Sequence, residues 1–70
     1  MSTECQGKGS WPELVGEDGG TAEATIEREN PLVNAQIVTE GSMVILNVDC
    51  TRVWVWVDEH GIVTRVPVIG

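Results

Sequence analysis

An α+β domain, with one helix laid on one face of a small β-sheet, is the fold class that the 70 residues predict. Three observations carry that reading. Ala22 and Ile26 stand four apart in a stretch that Pro31 stops, the spacing of a helix with a narrow apolar stripe. Val33, Ala35 and Ile37 alternate with Asn34 and Gln36, and Val53, Val55 and Val57 alternate more strongly with Arg52, Trp54 and Trp56, which is the period of strands. Asp58-Glu59-His60-Gly61 then reads as a turn that brings the chain back antiparallel.

Taken in order, residues 1–10 are polar and contain Gly and Ser, and MSTECQGKGS lacks the apolar core of a signal peptide. Trp11-Pro12-Glu13-Leu14-Val15-Gly16 is a short apolar anchor closed by glycine, with Trp11 as a cap on the core. Glu17-Asp18-Gly19-Gly20 has the composition of a turn. A phosphate loop is excluded there, because no Gly-Lys-Ser/Thr follows and the local charge is negative. Thr21 begins the helix, Glu23 lies in its first turn as the helix dipole favours, and Asn30 ends it. Strand one is expected from Leu32 to Glu40, strand two over Arg52–Val57, and a third over Ile62–Val66, paired antiparallel with the second. If strands one and two are parallel, the connection must cross from one sheet end to the other, which takes about a dozen residues. Residues 40–51 supply that length without a helical period, so the crossover is expected to be an exposed, extended loop.

Composition narrows the function. Residues 1–70 are expected to form one domain, and one this short buries a modest fraction of its surface and is marginal without a staple. Eleven acidic residues against 4 basic ones give a net charge of −7, which repels phosphates and argues against nucleic acid and anionic membrane as partners. No 18-residue apolar segment exists, so the expectation is a soluble protein, either mature or made without secretion. Cys5 and Cys50 leave two possibilities, one disulfide or two free thiols. A metal site normally needs four ligands, and His60 is the single histidine with no Cys-x-x-Cys in reach, so neither metal nor cofactor is expected.

Enzyme chemistry finds no footing. Ser2, Ser10 and Ser42 have no nucleophile-elbow pattern around them, and His60 stands alone in a turn. The pairs Glu17 with Asp18 and Asp58 with Glu59 are neighbours in turns and need a cleft to act as acid and base. No catalytic residue is assigned, and function falls to surface recognition. The loop is the natural surface: Met43-Val44-Ile45-Leu46 is an apolar run that costs solubility unless a partner covers it. Proteases bind substrates as extended strands, and a loop held in that shape before binding loses little entropy on docking.

With that reading in place, the chain resembles the potato inhibitor I family of plant serine protease inhibitors. The matching stretches run from Gly7-Lys8-Gly9-Ser10-Trp11-Pro12-Glu13-Leu14-Val15-Gly16 through Ala22, Ile26-Glu27-Arg28-Glu29-Asn30-Pro31 and Val33-Asn34-Ala35. They continue with Glu40-Gly41-Ser42, Cys50, Arg52-Val53 and Trp56-Val57, and end with Val66-Pro67-Val68-Ile69-Gly70. The resemblance implies a helix on a small mixed sheet, an inhibitory loop joining two parallel strands, and a disulfide from Cys5 to Cys50. It implies a protease-binding loop of Met43, Val44, Ile45, Leu46, Asn47, Val48 and Asp49, with the reactive bond between Leu46 and Asn47. An apolar Leu46 suits chymotrypsin-, subtilisin- or elastase-like proteases rather than trypsin, and the family connection implies plant defence and the response to wounding.

Departures from the family pattern fall in the loop. Ile45 stands where Thr is usual, Asn47 where an acid is usual, Val48 where an aromatic or Leu is usual, and Asp49 where Arg is usual. Loop support would come from Arg52 and Trp54, the latter replacing a second arginine. On this reading Asn47 makes a neutral hydrogen bond to Arg52, Trp54 packs on Val48 or Ile45 or lies exposed, and Asp49 pairs with Arg52. The alternative is a non-inhibitory interaction or storage protein on the same fold, whose loop is cleaved as substrate or binds another partner. A monomer is expected, with weak self-association possible through the loop or the Trp54/Trp56 face. The compartment would be extracellular or vacuolar if the bridge forms, and cytoplasmic otherwise.

Overall fold

A computed structural model of the chain describes residues 5–70, so the segment before Cys5, Ser2 included, lies outside the described residues. A 3-10 turn at Pro12–Leu14 leads to helix α1 (Gly19–Glu29), strand β1 (Asn34–Thr39) and strand β2 (Arg52–Val57). Helix α1 begins two residues before the expected Thr21, and Gly19-Gly20, read as a turn, are its first residues. The cause is Asp18, whose carboxylate accepts from the Gly20 N–H at 2.9 Å and the Thr21 N–H at 3.1 Å. Gly19 is required for a further reason: a Cβ there would lie 2.9 Å from Val57 Cγ1. The earlier start also moves Glu23 beyond the first turn, so the charge favoured by the dipole is that of Asp18.

Ala22 and Ile26 form the buried stripe, as their spacing predicts. Asn30 closes the helix and is itself buried. Its amide donates to the carbonyls of Gln6 at 2.9 Å and Lys8 at 3.0 Å, and its Oδ1 accepts from the Leu32 N–H at 3.0 Å. One side chain thus ties the N-terminal segment to the helix end.

Strands β1 and β2 are parallel, with Asn34 opposite Arg52 and Thr39 opposite Val57. Ala35 from β1 and Val53, Val55 and Val57 from β2 enter the core with Val33, Leu14, Trp11 and the helix stripe. Ile37 has the parity of this face yet stays 45% exposed. Its Cδ1 lies 3.6 Å from where a Cβ of Gly19 would be, and glycine has no side chain to cover it.

The expected third strand over Ile62–Val66 is replaced by separate bridges. Val57 pairs with Val63 and Val53 with Ile69, both antiparallel, and the chain detaches between them. Pro67 has no N–H to donate to a ladder. The N-terminal segment also takes part of the pairing: the Val63 N–H donates to the Glu17 carbonyl and the Ile69 N–H to the Gly9 carbonyl. The sheet is therefore mixed in character, with a continuous parallel pair and an antiparallel edge made of single bridges.

Further ties hold the N-terminal segment down. The buried Trp11 donates its indole N–H to Glu29 at 2.9 Å, and Lys8 bonds both Glu29 at 3.0 Å and Glu13. Cys5 and Cys50 form a disulfide across 45 residues of sequence. A loop of that size corresponds to roughly 4 kcal/mol in a chain-entropy account, which meets the need for a staple in so short a chain.

Ile26→Ala should destabilise by about 2–5 kcal/mol through the cavity it leaves, and Asp18→Ala by about 1 kcal/mol through loss of the cap. Urea denaturation measures both; equal losses would contradict this division between core and cap. Acid sensitivity follows from the carboxylates. Hydrogen bonds from Lys8 hold Glu13 and Glu29 below the ordinary carboxylate range, and the main-chain N–H groups of Ile62 and His60 do the same for Asp58. A lowered folded-state pKa adds stability above the unfolded value that disappears as pH falls through the folded one. The thermal midpoint should be level from neutrality to about pH 5 and fall below it, as a pH series by circular dichroism would record.

Candidate functional site

The crossover leaves β1 at Glu40, whose N–H donates to the Val57 carbonyl at 2.9 Å. Gly41 turns the chain with φ +92°, and the Ser42 N–H closes the turn on the Thr39 carbonyl at 3.0 Å. Residues 42–46 then adopt no regular structure. Met43 is 98% and Leu46 92% exposed, Ile45, Asn47 and Val48 are also exposed, and Val44 and Asp49 are half-buried. The chain rejoins the sheet where the Asn34 N–H donates to the Thr51 carbonyl at 2.8 Å. The apolar run predicted to lie on the surface does lie there.

Arg52, the first residue of β2, turns back toward this segment. Its Nη2 donates to the main-chain carbonyl of Asn47 and reaches Asn47 Oδ1 at 3.4 Å, while its Nε donates to the main-chain oxygen of Gly70 at 2.8 Å. The guanidinium sits 4.8 Å from the centre of the Trp54 ring. The half-buried Trp54 thus backs the arginine. The expected Asn47 side-chain bond is the long one, and the main-chain carbonyl is the closer partner.

The Asp49 carboxylate does not pair with the Arg52 guanidinium; the bond between the two residues is main-chain, from the Arg52 N–H to the Asp49 carbonyl at 3.1 Å. Asp49 Oδ1 accepts from the Thr51 N–H at 2.8 Å and the Thr51 hydroxyl at 2.7 Å, which holds its carboxyl below the usual range. Threonine two residues on offers a local partner that needs no reach, so it wins over the arginine. Beyond Asp49, the half-exposed Cys5–Cys50 bridge fixes the returning end.

Other candidates are spent on structure. Asp18 caps α1, and Asp58 accepts from the His60 and Ile62 N–H groups in its turn. The His60 side chain is exposed, 3.7 Å from Glu59. A hollow of about 260 Å³ is lined by Gln6, Leu32, Cys50 and Thr51, and carries no titratable group among the described residues.

The sequence reading missed a cluster at the leading end. Glu40 accepts from Arg65 Nε at 2.8 Å, from Arg65 Nη2 at 2.7 Å and from the Thr64 hydroxyl, and the Arg65 guanidinium lies 4.2 Å from the centre of the Trp56 ring. Glu40 and Arg65 are too far apart in sequence for a local pattern to join them.

A model of the potato inhibitor I family matches residues 3–70. A Glu S. griseus protease inhibitor of Momordica charantia is 59% identical over 68 residues, covering 97% of this chain and 100% of its own. A trypsin/subtilisin inhibitor of Amaranthus caudatus is 53% identical over 64 residues, covering 91% and 93% respectively. The crystal structure of bitter gourd trypsin inhibitor superimposes with a TM-score of 0.94 at 56% identity, over 97% of this chain and 100% of that one. A helix on a parallel strand pair, joined by a braced apolar crossover and matched by one family model over nearly all its length, places this chain in the potato inhibitor I family.

Proposed function

We propose that the chain is a serine protease inhibitor that presents residues 43–49 to a protease as a substrate would, with Leu46 in the specificity pocket and Leu46-Asn47 as the reactive bond. The observation that carries the proposal is the pairing of a 92% exposed Leu46 with a clamp on the next residue, where Arg52 holds the Asn47 carbonyl. The family and the inhibitor names of its members support the general activity. A leucine favours apolar pockets, hence proteases of the chymotrypsin, subtilisin or elastase type, and the Amaranthus relative carries subtilisin in its name.

The clamp explains how a substrate-like loop can inhibit. If the protease attacks the Leu46 carbonyl, the departing amine is that of Asn47. With Arg52 and the sheet holding it, the amine stays beside the acyl group at a high effective concentration, so religation outruns hydrolysis. The loop enters the cleft already extended, which lowers the ordering cost of docking. A relative named for wound induction in Solanum tuberosum supports a role in plant defence.

Leu46→Lys should weaken inhibition of chymotrypsin by about a hundredfold or more and create inhibition of trypsin, since a buried unpaired ammonium loses several kcal/mol where a matching carboxylate gains it. Inhibition kinetics decide this; wild type inactive at micromolar concentration, or no gain against trypsin, would sink the assignment. Arg52→Ala should speed cutting after Leu46 by about tenfold, a difference of about 1.4 kcal/mol, followed by mass spectrometry during incubation with subtilisin. Rapid, complete cleavage of the unaltered chain would instead identify it as a substrate.

A further inference from the structure

We propose that Glu40, Arg65 and Trp56 form a second brace for the loop, holding its leading end as Arg52 and Trp54 hold its trailing end, with Arg65 a positioning residue for inhibition. The proposal rests on the inhibitor reading above. Among the described residues, no main-chain group of residues 43–48 bonds to another main-chain group. The course of Met43 to Leu46 therefore depends on where its two ends are fixed. At the leading end the chain is fixed by the turn that Ser42 closes on the Thr39 carbonyl, and within that turn Glu40 has its main chain on Val57 and its carboxylate in the Arg65 fork.

Trp54 and Trp56 are two apart on β2 and share the face opposite the valines. Each carries one guanidinium, Arg52 at 4.8 Å and Arg65 at 4.2 Å, and each arginine reaches one end of the crossover. An isolated surface ion pair restrains little. Here the planar fork accepts one orientation, the indole beneath fixes its plane, and the Thr64 hydroxyl occupies the same carboxylate oxygen, Oε2, as Arg65 Nε. The Glu40 carboxyl is held below its ordinary range by Arg65 first and Thr64 second, as a fully engaged carboxylate would be. Restraining Glu40 narrows the swing of the four residues that precede the reactive bond. The expected benefit is in loop order and docking rather than global stability.

The test compares the wild type, Arg65→Ala, Arg65→Lys, Glu40→Gln and the double variant Glu40→Gln/Arg65→Ala. Nitrogen-15 order parameters of residues 41–46 in the free protein should fall from about 0.85 toward 0.6 in Arg65→Ala. Its inhibition constant for subtilisin should rise by about five- to tenfold while the thermal midpoint hardly moves, since a surface pair contributes little globally. Arg65→Lys should recover part of both effects, and the double variant should be no worse than the worse single one. Unchanged order parameters in Arg65→Ala, strictly additive effects, or loss of order spread over the whole chain would overturn the brace. If the wild type inhibits nothing, the inhibitor reading fails, and the order parameters alone then decide the brace in either direction.

Discussion

Two strands that are consecutive in sequence and parallel in the sheet cannot be joined by a tight turn. The chain must travel back along the length of a six-residue strand, roughly 20 Å at about 3.3 Å per residue. In most parallel sheets a helix makes that journey and covers the sheet as it goes. Here α1 precedes both strands, so nothing helical remains for the return. The connection has to be extended and has to lie outside. Exposure of the apolar run is thus a consequence of strand order before it is a matter of residue choice.

β2 meets that constraint with its two faces. Val53, Val55 and Val57 bind the strand to the helix and set it immovably in the core. Arg52, Trp54 and Trp56 stand on the other face, and the loop is referenced to them. Period two is what allows one six-residue strand to do both. The buried face keeps the outer face in register, so the precision of the core reaches the surface with no intervening flexible element. Arg52 also joins the main-chain oxygen of Gly70 to that of Asn47, which ties the returning chain to the loop through one planar group.

Much of this was legible in the sequence because it is periodic. The valine alternation of β2 and the Ala22/Ile26 spacing each have a single good solution, and the Asp58 turn is local. What escaped was decided by partners distant in sequence or by main-chain atoms. The early start of α1 rests on the Asp18 carboxylate reaching the main-chain N–H groups of Gly20 and Thr21, and the broken third strand on residues 9–17 competing for the pairing of Val63 and Ile69. For Arg52, side-chain chemistry points to the Asn47 amide, whereas the structure favours the main-chain carbonyl, which every residue has. For Asp49, charge points to Arg52, whereas the hydroxyl and N–H of Thr51, two residues away, are the partners. The Glu40–Arg65 contact has no sequence signature at all.

The disulfide also changes what a cut in the loop would mean. Residues 5 to 50 form a closed covalent ring, and the exposed run of the crossover, residues 43–49, lies within it. Breaking one peptide bond inside a ring opens it without producing a second molecule. No fragment gains the freedom to diffuse away, so dilution does not drive the balance between nicked and intact chains. The two forms stand as near isomers, differing by one water, and their ratio is a property of the fold at any concentration.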